Sequence, residues 1–116
     1  MKDLFASYSQ SLSLKEIGFD GKNCMRFYNA DLSLENTFLH SGTVGAPLKQ
    51  QVFKFFRDKY GLFSEIKCCN TKIILGTFEV EIFRLNDREF GHYGYDTYEK
   101  AESACIDKLI ELVKNK

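Results

Sequence analysis

The stretch Ala46-Pro47-Leu48-Lys49-Gln50-Gln51-Val52-Phe53-Lys54-Phe55-Phe56-Arg57-Asp58-Lys59-Tyr60-Gly61 constrains the fold more than any other part of the chain. At 100° per residue, Leu48, Val52, Phe53, Phe55, Phe56 and Tyr60 fall within an arc of roughly 160°, with Gln50, Gln51, Lys54, Arg57 and Asp58 on the opposite side. Pro47 suits the first helical position, where a missing N–H would have been unpaired anyway. Gly61 suits the helix end. An amphipathic helix of this kind must lay its apolar stripe on something, and the flanking sequence offers strands.

Residues 63 to 69 (FSEIKCC) and 77 to 85 (TFEVEIFRL) read as strands. In the second, Phe78, Val80 and Ile82 alternate with Thr77, Glu79 and Glu81, so one face is buried and the other partly wet. After Ile82 the phase breaks, which predicts a bulge or an end covered on both sides. Asn70-Thr71 is a turn signal, and Gly76 marks a kink or bulge. Upstream, residues 24 to 28 (CMRFY) and 33 to 39 (SLENTFL), separated by Asn29, Ala30 and Asp31, read as a hairpin.

Two more helices bracket the chain. Segment 7 to 17 (SYSQSLSLKEI) is short, with Gly18 suited to the left-handed position after it and Phe19 able to pack back across the turn. Asp96-Thr97-Tyr98-Glu99 has capping-box spacing, with Asp96 accepting from the Glu99 N–H, so the last helix starts near Thr97. Tyr98, Ala101, Cys105, Leu109, Leu112 and Val113 form its apolar stripe, and Ile106 and Ile110 widen it. Lys114 and Lys116 suit the negative end of the helix dipole. Glu102 and Lys108 fall inside the apolar arc as boundary residues, or as interface ion pairs if a second copy covers it. The predicted order is α-ββ-α-ββ-α, an α+β fold with an antiparallel sheet and helices mainly on one face.

Composition decides what such a fold does not do. With 116 residues, 44% hydrophobic and 15% aromatic, one domain (1–116) has ample side chain to bury roughly 65% of its unfolded surface. Sixteen Lys plus Arg against 16 Asp plus Glu give zero net charge, which removes the long-range field that generic nucleic-acid binding uses. No apolar run approaches a membrane span. The start, Met1-Lys2-Asp3-Leu4-Phe5, lacks the apolar core of a secretory signal, so the expected location is cytoplasmic. Cys24, Cys68, Cys69 and Cys105 form no CxxC pair and read as small hydrophobes rather than disulfides.

Two segments are candidate sites. Ser41, Gly42, Thr43, Val44 and Gly45 form a loop before the central helix; its free N–H groups, with Lys49 in the first turn, suit an anion such as a phosphate. It lacks the Gly-Lys-Ser/Thr of a nucleotide-binding P-loop. Arg88, Phe90, His92, Tyr93 and Tyr95 gather charge and rings in a glycine-interrupted loop, able to stack on a base or on a partner's anchor residue. His40 and His92 are the only histidines, with no third or fourth ligand at metal-binding spacing. No nucleophile-elbow pattern is present, and Glu79 and Glu81 share one strand face as a solvated face would. The chain therefore reads as non-catalytic, with no cofactor.

Three stretches taken together, SLKEIGFD (13 to 20), APLKQQVFKFFRDKYGL (46 to 62) and YDTYEKAESACIDKLIELVKNK (95 to 116), resemble a family of small uncharacterised proteins encoded by bacteriophages, prophages and mobile elements of gut-type bacteria. That family's pattern runs LKELGFDE, PLYQQAFRWFREKYGL, YEEAELACLKKLIEIV, in the same order and spacing. This chain departs from it at Lys49, Phe55 and Asp58, where Tyr, Trp and Glu are usual, and at Ser11 and Ser13, where Ala is usual. The serines weaken the first helix. The resemblance implies a viral or mobile-element origin and brings no activity that transfers to particular residues. The expected role is an accessory protein that binds a host or phage protein, including counter-defence against a CRISPR or other immune effector. The alternatives are a sponge for an immune signalling nucleotide, using the Ser41 to Gly45 loop, Lys49 and the aromatic loop, and a virion or packaging component that forms homo-oligomers.

Overall fold

A computed structural model describes residues 4–19, 26–28, 34–35, 44–69, 77–85 and 87–115. Ser41, Gly42, Thr43, His40, Cys24, Lys116, the Asn29–Asp31 and Asn70–Thr71 turns and Gly76 lie outside them. The elements are α1 (Tyr8–Glu16), β1 (Arg26–Tyr28), β2 (Leu34–Glu35), β3 (Val44–Ala46), α2 (Lys49–Tyr60), β4 (Phe63–Cys69), β5 (Thr77–Arg84), β6 (Asp87–Tyr95) and α3 (Tyr98–Lys114). The α+β class holds, with every strand pair antiparallel. Two strands join the predicted order: part of the expected loop before α2 is β3, and the expected aromatic loop is β6.

β1, β2 and β3 form one sheet in the order β2-β1-β3, and β4, β5 and β6 a second in sequence order. The first contains the predicted hairpin, with Phe27 opposite Glu35 and Tyr28 opposite Leu34. In the second, directly opposed residues share a face because side chains alternate along each strand. Ile66, Val80 and His92 thus lie on one side, and Lys67, Glu79 and Tyr93 on the other. The first side carries fully buried Val80 and Ile82, which share a core with Val52 and Phe56 of α2 and Ala101 and Leu109 of α3. The helices cover that face.

α1 has little apolar stripe beyond the fully buried Leu14, and polar bonds add to what fixes it. Ser7 Oγ accepts from the Gln10 N–H (3.1 Å) and Gln10 Oε1 accepts from the Ser7 N–H (2.9 Å), a complete capping box. The same Gln10, buried, uses its Nε2 to donate to Ser103 O (3.1 Å), Ser103 Oγ (3.2 Å) and Asp107 Oδ1 (2.9 Å) on α3. The other end of α1 closes as the sequence suggests. Gly18, at φ +100°, lets the Phe19 N–H return to Leu14 O (2.9 Å) and the Gly18 N–H to Lys15 O (3.2 Å), a Schellman closure. The Phe19 ring then meets Phe55 of α2 edge-on at 5.2 Å.

Two helix starts differ from the expectation. Pro47 is not the first helical residue: Leu48 is the N-cap of α2, its N–H satisfied by Gln51 Oε1 at 2.8 Å. The fully buried Pro47 instead accepts at its carbonyl from the Ala6 N–H, 2.9 Å. At α3 the cap is Thr97, whose hydroxyl accepts from the Lys100 N–H at 3.1 Å. Asp96 takes the Lys100 ammonium (3.0 Å) rather than the Glu99 N–H. Gly61 closes α2 in the left-handed conformation.

Candidate edge-strand interface

The five residues Arg88, Phe90, His92, Tyr93 and Tyr95 all lie on β6, the end strand of its sheet among the described residues. Four of them form one aromatic cluster around His92. Its ring centroid is 6.4 Å from Phe90, 6.4 Å from Tyr93 and 5.4 Å from Tyr95. Phe90 and Tyr95 are half-buried and pack against the core, whereas His92 and Tyr93 are exposed, Tyr93 by 60%. The inner flank of Phe90 carries the Lys108 ammonium, 5.0 Å from the ring centroid. Burial raises the Tyr95 phenol above its ordinary pKa, with a smaller push from Cys105.

Register explains why this strand escapes a reading by alternation. Ile82 stands opposite Phe90 while Phe83 stands opposite Arg88, so Glu89 is extra; Phe78 faces Tyr95 while Glu79 faces Tyr93, so Gly94 is extra. The first of these bulges falls opposite the break after Ile82, but the extra residue is on β6, and β5 itself keeps register with β4 through Ser64–Ile82 and Phe63–Phe83. Gly94 adopts φ +104° with open space around its Cα, a bulge conformation that a side chain would strain. Each bulge flips the alternation, leaving only Phe90 to Tyr93 in regular register between them. The extra Glu89 is put to use: its carboxylate accepts from Arg84 Nε (2.8 Å), while Arg84 Nη1 donates to Tyr60 O (2.9 Å) at the negative end of α2.

Arg88 stands apart from the rings on the outer side. Its guanidinium lies over Gly91, where a Cβ would come within 1.9 Å of Nη2, and its nearest carboxylate oxygen is Glu81 Oε2 at 3.9 Å. Glu81 is the residue directly opposite Gly91 on β5.

Of the expected anion loop, Ser41, Gly42 and Thr43 lie outside the described residues. Gly45 belongs to β3, opposite Phe27, and Lys49 is buried beside Glu102 of α3, Nζ to Oε1 3.7 Å. Glu102 is therefore a buried residue of the α2–α3 junction rather than a boundary or inter-copy residue. Lys108 pairs with Glu111 at 3.3 Å. The sequence signal for the buried pair is Glu102's position in the apolar arc; its partner, far away in sequence, carried none.

Among the described residues no group of three or more His, Cys, Asp and Glu is placed to hold a metal. None of the described helices is long and apolar enough to cross a membrane. Cys68 is exposed and Cys105 buried, both as free thiols. Comparison of the whole chain with protein-family models, with curated proteins and with solved structures gives no match.

Proposed function

We propose that the chain is a protein-binding module that engages its partner along β6, by addition of an extended segment to the sheet edge. The observation that carries this reading is the His92-centred aromatic cluster on the nine-residue end strand of an antiparallel sheet. An end strand offers one row of backbone N–H and C=O groups to a further strand, and neighbouring rings supply the apolar contact that makes such pairing selective. Tyrosine is also among the residue types enriched as anchors of protein interfaces.

The resemblance to phage and mobile-element proteins supports an accessory role, with counter-defence by binding an immune effector as its natural form. For the alternative of nucleotide sequestration, Lys49 is engaged with Glu102, which leaves Arg88 of β6 as the exposed cation among its named residues.

The reading is tested by retention of proteins from host and phage lysates on immobilised wild type and on Tyr93→Asp, followed by native mass spectrometry. A partner protein at fixed stoichiometry, lost with the substitution, is the expected result. No retained protein, a partner indifferent to substitution in β6, or a retained small molecule in its place would overturn it.

A further inference from the structure

We propose that the segment received by β6 is acidic, carrying an aspartate or glutamate whose carboxylate meets Arg88 beside Gly91. This rests on the reading of β6 as a docking edge and adds the chemistry of what docks there. The two bulges leave Phe90 to Tyr93 as the regular stretch, about 13 Å of edge at roughly 3.3 Å per residue. A segment of four to six residues is what such an edge accepts. Within that stretch Gly91 has no side chain, and the space a Cβ would occupy is filled by the Arg88 guanidinium.

Gly91 has two cross-strand positions. Glu81 of β5 occupies one, and the residue of an added strand would occupy the other. The guanidinium lies between them. It is 61% exposed, and its 3.9 Å separation from Glu81 is too long for a hydrogen bond. Arg carries five donors in a planar fork suited to a carboxylate, and among the described residues those of Arg88 have no acceptor within bonding distance. Of the strand's acidic residues, Glu89 is engaged by Arg84, and Asp87 stands at the start of the strand, opposite Arg84 in register. A carboxylate on the added strand thus meets the one cation on β6 whose donors are open.

The test uses the full chain as bait for a displayed library of random heptapeptides, with recovered peptides synthesised and titrated. The expected result is a consensus with Asp or Glu fixed at one position, binding about tenfold to a hundredfold weaker when that residue becomes Asn or Gln or when the bait is Arg88→Gln, the scale of a charge-assisted pair. Arg88→Lys should recover only part, having charge without the fork. Amide exchange at Gly91 to Tyr93 should slow on binding. A consensus without an acidic position, bound equally by Arg88→Gln, would overturn this proposal and leave edge docking standing. A library that yields no binder would overturn both. Arg88 contributes no buried contact, so its variants fold, and a melting curve checks it.

Discussion

Lys49 Nζ and Glu102 Oε1 stand 3.7 Å apart where the start of α2 meets the first turns of α3, their side chains only 9% and 10% exposed. Burial holds the Glu102 carboxyl above its ordinary range, against the pull of the Lys49 ammonium and with a further push from Glu99. A carboxyl whose folded pKa is raised favours the fold when protonated. That contribution is complete below the ordinary carboxylate pKa and is lost as pH rises through the folded value. Removing Lys49 alone strands a buried charge, which typically costs about 3–5 kcal/mol, whereas replacing both partners with apolar groups is often neutral or stabilising. Lys49→Met should therefore destabilise more at pH 7 than at pH 4, and Lys49→Met/Glu102→Leu should restore stability at pH 7. Urea unfolding at the two pH values reads both.

The Cys105 thiol, fully buried, is pushed up to about 12 by desolvation, with Glu102 adding to the rise and Ser64 opposing it. Thiolate is the reactive form. With iodoacetamide at pH 8, Cys68 should be alkylated in the folded protein and Cys105 only after denaturation, which peptide mass spectrometry resolves.

Gly91 and Gly94 make a paired test of β6. Gly94→Ala strains a backbone at φ +104° and should cost about 1–2 kcal/mol, although nothing crowds the site. Gly91→Ala displaces only the Arg88 guanidinium, the mobile end of an exposed side chain. Its stability should stay within about 1 kcal/mol of wild type, the scale of a glycine-to-alanine exchange at a compatible position. Thermal melts of the two variants separate the cases.

Gln10 joins a helix cap to an inter-helix tie, so its removal should reach beyond α1. A double-mutant cycle of Gln10→Ala with Asp107→Ala should give a coupling of about 0.5–3 kcal/mol. Hydrogen exchange should show α1 amides losing protection while β4 and β5 keep theirs.

What was legible in the sequence was local. The stripe of α2, the alternation of β5 and the turn at Gly18 each depend on residues a few positions apart, and the structure has them as read. β6 was opaque because Glu89 and Gly94 each reset its alternation and its exposed side carries no apolar pattern. β3 is three residues whose pairing with β1 only the tertiary fold supplies. At α3, Asp96 and Thr97 are both cap formers, and the carboxylate went to Lys100. The candidate residues of β6 were identified as a group, but their division between an aromatic cluster and an outlying guanidinium follows from the bulges.

The bonds from Gln10 to Ser103 and Asp107 span 93 and 97 residues, and this sets an order of assembly. α1 leaves the ribosome long before its anchors exist, and a helix of 9 residues with three serines has little tendency to hold itself in water. Ties from its C-terminal end to α2, such as the Tyr60 hydroxyl donating to Ile17 O (2.7 Å), can form earlier, but those of Gln10 form only once α3 has been made and docked. The Gln10 end of α1 is thus secured only after α3 docks, and until then it stays open to proteases and chaperones.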